Sequence, residues 1–309
     1  RNKAISDTYE PGSTFKTVTL AAALRAGVGL RKTYAAPDSL RFENGELTNY
    51  GGKQYGTLSV EQAYALSVNT VFAQLALDIG MNAISQQAEL FGFGSNVARD
   101  FPLPASSIYG VDEMDAYLQA WTGVGQAITL PDGRFFGPEM TPVQGAVIAA
   151  AVLNGGVVQR PFLVTSVGGE LSEAAQGQRF AEEVVQLSDE TTEAAEEPQS
   201  PKAEASEDSR GQLAEGEVAL SADEAEQIAG CMRDVVESGT GKSAGVSGLD
   251  IGGKTGTAET DAGIDDGWFI GFAQNADKRY AVSVLVQGDE SSEASQVAAQ
   301  LISRLYSQA

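Results

Sequence analysis

Residues 9–24 read YEPGSTFKTVTLAAAL and place a serine and a lysine at the start of a very apolar stretch. From Thr17 onward the pattern has almost no polar face, which predicts a helix buried on nearly all sides in a large protein. The proline-glycine pair ahead of it is a turn signal, so Ser13 is expected at or just before the first helical turn. Lys16 lies three residues further on, on the same side of the helix.

Two interpretations of this pair are open. In the first, Ser13 caps the helix and Lys16 extends to solvent, which is the ordinary explanation of an arbitrary S-x-x-K sequence. In the second, the serine is a nucleophile and the lysine is its base. The rest of the sequence has to distinguish them.

Composition limits the kind of active site. The chain of 309 residues is 42% hydrophobic, as in globular proteins, and no apolar run reaches the roughly 18 residues that indicate a membrane-spanning helix. Histidine is absent and Cys231 is the single cysteine, which excludes an internal disulfide, a Cys/His zinc site and histidine-based triads. A serine enzyme with this composition must use a lysine or a carboxylate as its base. Cys231 is expected to be a small packing residue.

Charge argues against nucleic acid and anionic membrane surfaces as partners, since 20 basic and 42 acidic residues give a net charge of −22. Between Glu170 and Glu217 there are 14 acidic and 3 basic residues, which is half of the excess. The stretch 172–216 has too few apolar residues to offset the entropy of ordering it. We predict a disordered excursion there, a solvated linker rather than a docking tail.

After the acidic stretch, the pattern changes from helix to strand. Ser221 and Glu224 form a capping box before an amphipathic helix. IGGKTGTAE, GWFIGFAQ and YAVSVLVQ then have strand length, and an amphipathic helix closes the chain. Three antiparallel strands, covered by the terminal helix and by the helix after Lys16, would be an α+β arrangement.

Two further polar motifs are weak when each is considered alone. Ser67-Val68-Asn69 lies between two helical patterns, where serine and asparagine are ordinary capping residues. The sequence KTGT, residues 254–257, lies on a predicted strand, and a glycine there indicates a bulge or a close approach to the backbone.

Together the three motifs are specific, because S-x-x-K, S-x-N and K-T-G in this order resemble the signature of penicillin-binding proteins and serine β-lactamases. The likeness extends to SVNTVFAQLALDIG, TPVQGAVIAAAVLNGGVVQRPFLV, VVESGTGKSA and KTGTAE followed by GWFIGFA. It covers nearly the whole chain except the acidic stretch. The sequence resembles the transpeptidase domain of high-molecular-weight penicillin-binding proteins, and within them the monofunctional class B enzymes of the actinobacterial penicillin-binding protein A type.

The resemblance implies an α+β fold, with an antiparallel β-sheet flanked by helices and an all-helical subdomain. It implies one transpeptidase domain over residues 1–309, interrupted at 172–216. The sequence starts at Arg1 inside a domain-like pattern. We therefore expect a preceding part with a membrane anchor and a non-catalytic pedestal domain, which would place the protein on the extracytoplasmic face of the bacterial cell membrane.

The resemblance also implies catalytic roles. Ser13 would be the acylated nucleophile and Lys16 its base, since a serine hydroxyl reacts only when a base removes its proton. A lysine can do so when burial and a neighbouring cation, here Lys254, keep it neutral. Ser67 would relay protons to the leaving amine, and Asn69 would hold the substrate amide.

The K-T-G strand would bind the rest of the substrate. Lys254 would supply positive potential, and the hydroxyls of Thr255 and Thr257 would donate hydrogen bonds to the substrate carboxylate. Gly256 would leave room for the acyl chain. Backbone N–H groups of Ser13 and Thr257 would form the oxyanion hole, where loss of one donor lowers the rate by roughly 10²–10³.

The implied reaction is acyl transfer at a D-alanyl-D-alanine stem peptide of peptidoglycan. Ser13 attacks, the terminal D-alanine leaves, and an amine from a neighbouring stem resolves the acyl-enzyme. No metal or organic cofactor is implied. β-Lactams would acylate Ser13 as substrate mimics, and a cell-wall glycosyltransferase is an expected protein partner.

Alternatives within the same fold stay open. A class A β-lactamase would need a glutamate in an E-x-x-x-N setting to activate water, and no such segment lies between Asn69 and Lys254. Glu139 is an isolated carboxylate. A D,D-carboxypeptidase, a β-lactam-binding sensor without turnover, and a bifunctional class A enzyme with an upstream glycosyltransferase domain share the motifs. The segment GQAITLPDGRFFGPEMTP is longer than the G-Q-G to T-P connection expected, so the shape of that cleft edge is not predicted.

Overall fold

The fold is described from a computed structural model, for residues 2–167, 170–172, 216–258, 265–288 and 291–307. Apart from its ends, the acidic stretch predicted to be an excursion lies outside these ranges. The helices described are α1 (Lys3–Ser6), α2 (Lys16–Arg25), α3 (Val60–Ala65), α4 (Asn69–Ile79), α5 (Met81–Leu90), α6 (Ala116–Val124), α7 (Pro142–Leu153), α8 (Ala222–Glu237) and α9 (Ser291–Ser307). The strands described are β1 (Thr33–Ala36), β2 (Ser39–Phe42), β3 (Gly45–Thr48), β4 (Gly56–Ser59), β5 (Ser107–Tyr109), β6 (Ile128–Thr129), β7 (Phe135–Glu139), β8 (Ser166–Val167), β9 (Glu170–Leu171), β10 (Asp250–Ala258), β11 (Asp266–Gln274) and β12 (Arg279–Gln287).

The main sheet consists of β10, β11 and β12 in antiparallel order, as the three strand patterns predict. Side chains alternate between its faces because the period of a strand is two residues. Trp268, Ile270 and Phe272 are buried on one face. Phe269 and its cross-strand partner Val284 are buried on the other. Both faces therefore need a covering layer.

Helix α9 covers the face that carries Phe269, as predicted for the terminal helix. Helices α7 and α8 cover the opposite face. This corrects the expectation that the helix after Lys16 would do so: α2 packs against α4, α5, α6 and α8 instead, and it is buried from Lys16 to Ala23. The predicted capping box of Ser221 and Glu224 begins α8. Cys231 is buried in α8, where burial raises the pKa of its thiol to about 12.

The region around α2 to α6 is not all-helical, because small sheets lie among its helices. Strand β1 pairs with β4, and β2 pairs with β3. The long segment before Thr141 forms a hairpin of β6 and β7. Strand β5 pairs with the other side of β7, so the strand order is β5-β7-β6. The architecture is α+β, as predicted. Among the described residues, no helix is both long and apolar enough to cross a membrane.

Candidate active site

Ser13 lies in a 3₁₀ turn, Gly12–Phe15, that runs directly into α2. We call these four residues the serine turn. No side chain caps the start of the turn or of α2, so the helix-cap interpretation of Ser13 is wrong. Gly12 has φ +52°, and a Cβ there would lie 2.4 Å from the carbonyl oxygen of Thr257. A Cβ at Gly125 would lie 1.9 Å from the Gly12 oxygen. The turn is therefore clamped between β10 and the end of α6.

Lys16 does not reach solvent, because its side chain is fully buried. Its Nζ lies 2.9 Å from Ser13 Oγ and 2.6 Å from Asn69 Oδ1. It also lies 2.9 Å from the Ser67 carbonyl oxygen and 3.3 Å from Ser67 Oγ. A neutral amine has only two hydrogens to donate, so it can give them to the amide and carbonyl oxygens and still accept the Ser13 hydroxyl proton.

The electrostatics of the site favour a neutral amine. Burial, and then the charge of Lys254, hold the pKa of Lys16 well below its ordinary value. Lys254 is also fully buried, which lowers its pKa to about 7. Within the described part of the chain, neither lysine has an acidic side chain as an ion-pair partner. Both effects favour the neutral amine, which is the form of lysine that can accept a proton.

Ser67 connects the two lysines. Its Oγ lies 2.9 Å from Lys254 Nζ and 3.3 Å from Lys16 Nζ. Among the described residues it is the only one other than glycine with positive φ, at +59°. This conformation, at the junction of α3 and α4, turns both its carbonyl and its hydroxyl toward Lys16. Strained backbone of this kind is found where surrounding contacts fix it.

Asn69 joins Lys16 to the edge of the site. Its Oδ1 accepts a hydrogen bond from Lys16, and its Nδ2 donates one to the carbonyl oxygen of Thr48 at 2.9 Å. An amide nitrogen has two hydrogens, so one remains for a ligand.

The K-T-G strand is β10, which runs beside the serine turn. A Cβ at Gly256 would lie 2.8 Å from the Pro11 oxygen and 2.9 Å from Thr14 Cγ2. The glycine thus lets the serine turn approach the strand, which is the close approach to the backbone that the sequence indicated. Thr255 Oγ1 lies 2.6 Å from Thr240 Oγ1. Sequence reasoning missed Thr240, although its SGTG segment belongs to the resemblance.

These residues surround one cleft of about 670 Å³. The structure brings the predicted site residues together, with Ser13, Ser67, Asn69, Thr255, Gly256 and Thr257 in its wall and Lys16 and Lys254 buried behind them. The roles assigned to them stay predictions. Gln126 also lines the cleft and belongs to the segment expected at its edge, whereas sequence reasoning missed Trp121 and the loop from Thr48 to Tyr55. Its NYGGKQYG sequence indicates a turn but gives no sign of a cleft wall.

Comparison with known families decides what this arrangement is. Residues 1–307 match the penicillin binding protein transpeptidase domain. The chain belongs to this family. The resemblance stated from the three motifs is therefore confirmed, and it extends across the main sheet and the helices on both sides of it.

Individual relatives of this transpeptidase domain agree with the match. The chain is 32% identical over 305 residues to peptidoglycan D,D-transpeptidase PbpA of Mycolicibacterium smegmatis, covering 93% of the chain and 51% of that relative. The chain thus spans about half the length of that protein. The D,D-transpeptidase domain of an Eggerthella lenta peptidoglycan glycosyltransferase is 29% identical with a TM-score of 0.78, covering 100% of this chain and 68% of that one. Penicillin-binding protein A of M. tuberculosis, solved as an imipenem acyl-enzyme complex, is 28% identical with a TM-score of 0.74, covering 98% of this chain and 61% of that one.

Proposed function

We propose that this domain is a serine D,D-transpeptidase that cross-links peptidoglycan stem peptides through an acyl-enzyme on Ser13. The observation that carries the proposal is the buried amine of Lys16, which lies 2.9 Å from Ser13 Oγ and forms no ion pair with an acidic side chain of the described residues. A solvated lysine would be protonated at neutral pH and unable to take the serine proton. The M. smegmatis relative is named a peptidoglycan D,D-transpeptidase, which supports the same reaction.

In the proposed reaction, Lys16 takes the hydroxyl proton while Ser13 Oγ attacks the carbonyl between two D-alanine residues. The ester bond forms as the peptide C–N bond breaks, and the proton reaches the leaving amine through the Ser67 hydroxyl. An acceptor amine then attacks the ester, restores the serine and forms the new amide. Backbone N–H groups of Ser13 and Thr257 would stabilise the oxyanion.

The remaining contacts assign the substrate groups. The free Nδ2 hydrogen of Asn69 would bind the acyl-side amide. Thr255 and Thr257 would bind the terminal carboxylate, with Lys254 supplying positive potential behind them. β-Lactams would acylate Ser13 in the same geometry, and penicillin-binding protein A of M. tuberculosis has been solved as an imipenem acyl-enzyme complex. A membrane anchor in a preceding part, an extracytoplasmic location and a glycosyltransferase partner belong to the same proposal.

Acylation by a penicillin tests the role of Lys16. The wild-type chain should gain the mass of the intact drug on the peptide containing Ser13, and Lys16→Met should not, because methionine fills a similar volume without a base. Lys32→Met, at an exposed lysine paired with Asp78, is the matched control and should acylate normally. If Lys16→Met, still folded by circular dichroism, acylates within about tenfold of wild type, the proposed base is wrong.

Turnover separates the related activities. A D-alanyl thioester should be consumed, and faster when a D-amino acid is added as acceptor. Hydrolysis that no acceptor accelerates would indicate a carboxypeptidase instead. Rapid release of hydrolysed penicillin would indicate a β-lactamase, and a stable adduct without thioester turnover would indicate a sensor. Among the described residues that line the cleft none is acidic, which favours a long-lived penicillin adduct.

A further inference from the structure

The loop from Thr48 to Tyr55 forms one wall of the cleft and carries a charge that the proposed reaction does not use. We call this loop the rim. Lys53, exposed on the rim, is the only charged residue among the described residues that line the cleft. No acidic side chain of the described residues forms an ion pair with it. In a chain of net charge −22, a cation placed there makes the cleft a local site for an anion.

The rim is a built structure rather than a loose surface loop. Asn49, only 3% exposed, donates from Nδ2 to the carbonyl oxygens of Pro37 at 2.7 Å and Lys53 at 2.8 Å. Its Oδ1 accepts from the Thr70 backbone N–H at 2.9 Å. These bonds fix the backbone of Lys53, so less entropy is lost when its side chain engages a ligand.

The rim lies on the acyl-donor side of the site. Its Thr48 carbonyl accepts from Asn69 Nδ2, and the same Asn69 side chain bonds Lys16 through Oδ1. In the proposed function, Asn69 binds the amide of the acyl donor. Thr255 and Thr257 bind the terminal carboxylate on the β10 side. Donor residues beyond the Asn69-bound amide would therefore extend along the rim.

We propose that Lys53 is a specificity-determining residue that binds a second carboxylate of the acyl donor, on a peptide residue remote from the scissile bond. This deepens the proposed function and rests on it. The preferred donor is then a stem peptide with a free side-chain carboxylate, and a donor with that group amidated is a poorer substrate. Lys53 takes no part in the bond changes, so it alters discrimination between donors while leaving the basal chemistry intact.

Two penicillins test this directly, one with a neutral phenylacetyl side chain and one whose side chain bears an additional carboxylate. The measurement is the second-order rate of acylation of Ser13 by each, and the result is their ratio. An exposed ion pair is weak, so Lys53→Gln should lower the anionic-to-neutral ratio by about threefold. Lys53→Glu, which replaces attraction with repulsion, should lower it by about tenfold. The neutral penicillin should react at the wild-type rate in both variants, which also shows that they fold.

Arg31→Glu is the matched control, because Arg31 is exposed, lies outside the cleft lining and undergoes the same change of charge. Its ratio should equal that of the wild type. High salt should bring the wild-type ratio toward that of Lys53→Gln, since exposed charges are screened. Equal ratios in Lys53→Glu and Arg31→Glu would overturn the inference while leaving the proposed function intact. Failure of both penicillins to acylate the wild-type chain would overturn the proposed function and this inference with it.

Discussion

Because two lysines are buried, the free energy of unfolding should depend on pH. The size of this dependence can be calculated for Lys254. Burial lowers its pKa to about 7 in the folded chain, whereas a lysine in an unfolded chain has a pKa of about 10.4. Between these two values the unfolded chain binds more protons than the folded one. The free energy of unfolding therefore rises with pH across this window, and the destabilisation caused by burying Lys254 grows as pH falls toward 7.

The size of this effect on the free energy of unfolding follows from about 1.36 kcal/mol for each unit by which the pKa is shifted. Burial of Lys254 destabilises the fold by about 4 kcal/mol at pH 7 and by about 2 kcal/mol at pH 9. Wild-type stability should thus rise by about 2 kcal/mol between these pH values from Lys254 alone. Lys16 acts in the same direction, because its pKa is also lowered. Lys254→Met removes the titrating group at similar volume, and its hydrogen bonds to Ser67 and to the Thr255 carbonyl are lost at about 1 kcal/mol each.

Urea unfolding at pH 7, 8 and 9 measures the effect. Lys254→Met should be about 2 kcal/mol more stable than wild type at pH 7, with a rise to pH 9 that is smaller by about 2 kcal/mol. Lys32→Met is the control, because Asp78 raises the pKa of Lys32 and its contribution is constant below the unfolded pKa. That variant should keep the wild-type rise. If Lys254→Met also keeps it, Lys254 does not titrate in this window and the reasoning fails.

Three further substitutions test the geometry of the site. Gly125→Ala should lower the free energy of unfolding by more than about 2 kcal/mol and slow acylation, because its φ is +96° and its Cβ would meet the serine turn; Gly133→Ala, with φ +86° and open space, should lower it by only about 1 kcal/mol. Thr240→Val should keep the fold but slow acylation about threefold or more by losing one hydroxyl contact, with recovery in Thr240→Ser. Ser67→Gly should be more stable than Ser67→Ala by about 1 kcal/mol in urea, since glycine adopts positive φ without strain.

Features set by nearby residues could be predicted from the sequence. The strands of the main sheet and the terminal helix follow from periodicity, and the capping box of α8 follows from two residues three positions apart. The site could be predicted for a different reason. Ser13, Lys16 and Lys254 are chemically unusual in apolar segments, and their motifs occur in a specific order.

Long-range packing could not be predicted in this way. Helix α7 is apolar on nearly all sides, so its sequence pattern does not predict which sheet it covers. The close approach of Gly145 to Ile270 depends on the three-dimensional packing and could not be predicted from the sequence. The rim was missed because its position depends on hydrogen bonds of the buried Asn49. In the sequence, an asparagine shortly before two glycines indicates only an ordinary turn. Thr240 was missed because its partner Thr255 lies 15 residues further along the chain.

The partner of Lys16 at this position of the described site is the neutral amide of Asn69 and not a carboxylate, and this difference can be tested. Asn69 Oδ1 lies 2.6 Å from Lys16 Nζ, so Asn69→Asp would place a carboxylate at the base without changing the shape of the side chain. A carboxylate there should raise the pKa of Lys16 and keep the amine protonated at neutral pH. Acylation should then fall at least about tenfold at pH 7 and recover as pH rises, because only the neutral amine can take the Ser13 proton.

The pH profile of penicillin acylation distinguishes this effect from simple loss of the amide. Asn69→Ala removes the hydrogen bond to Thr48 and the proposed contact to the substrate, but it adds no charge near Lys16. Its rate should fall at every pH with the profile in its wild-type position, whereas the profile of Asn69→Asp should move to higher pH. If both variants keep the wild-type profile, Lys16 does not act as the base, and its burial needs another explanation. A shift in Asn69→Asp alone would mean that Ser13 is reactive because the Lys16 amine is neutral and has no acidic partner. An acidic partner would stabilise the buried lysine in its charged form, but that form cannot take the Ser13 proton.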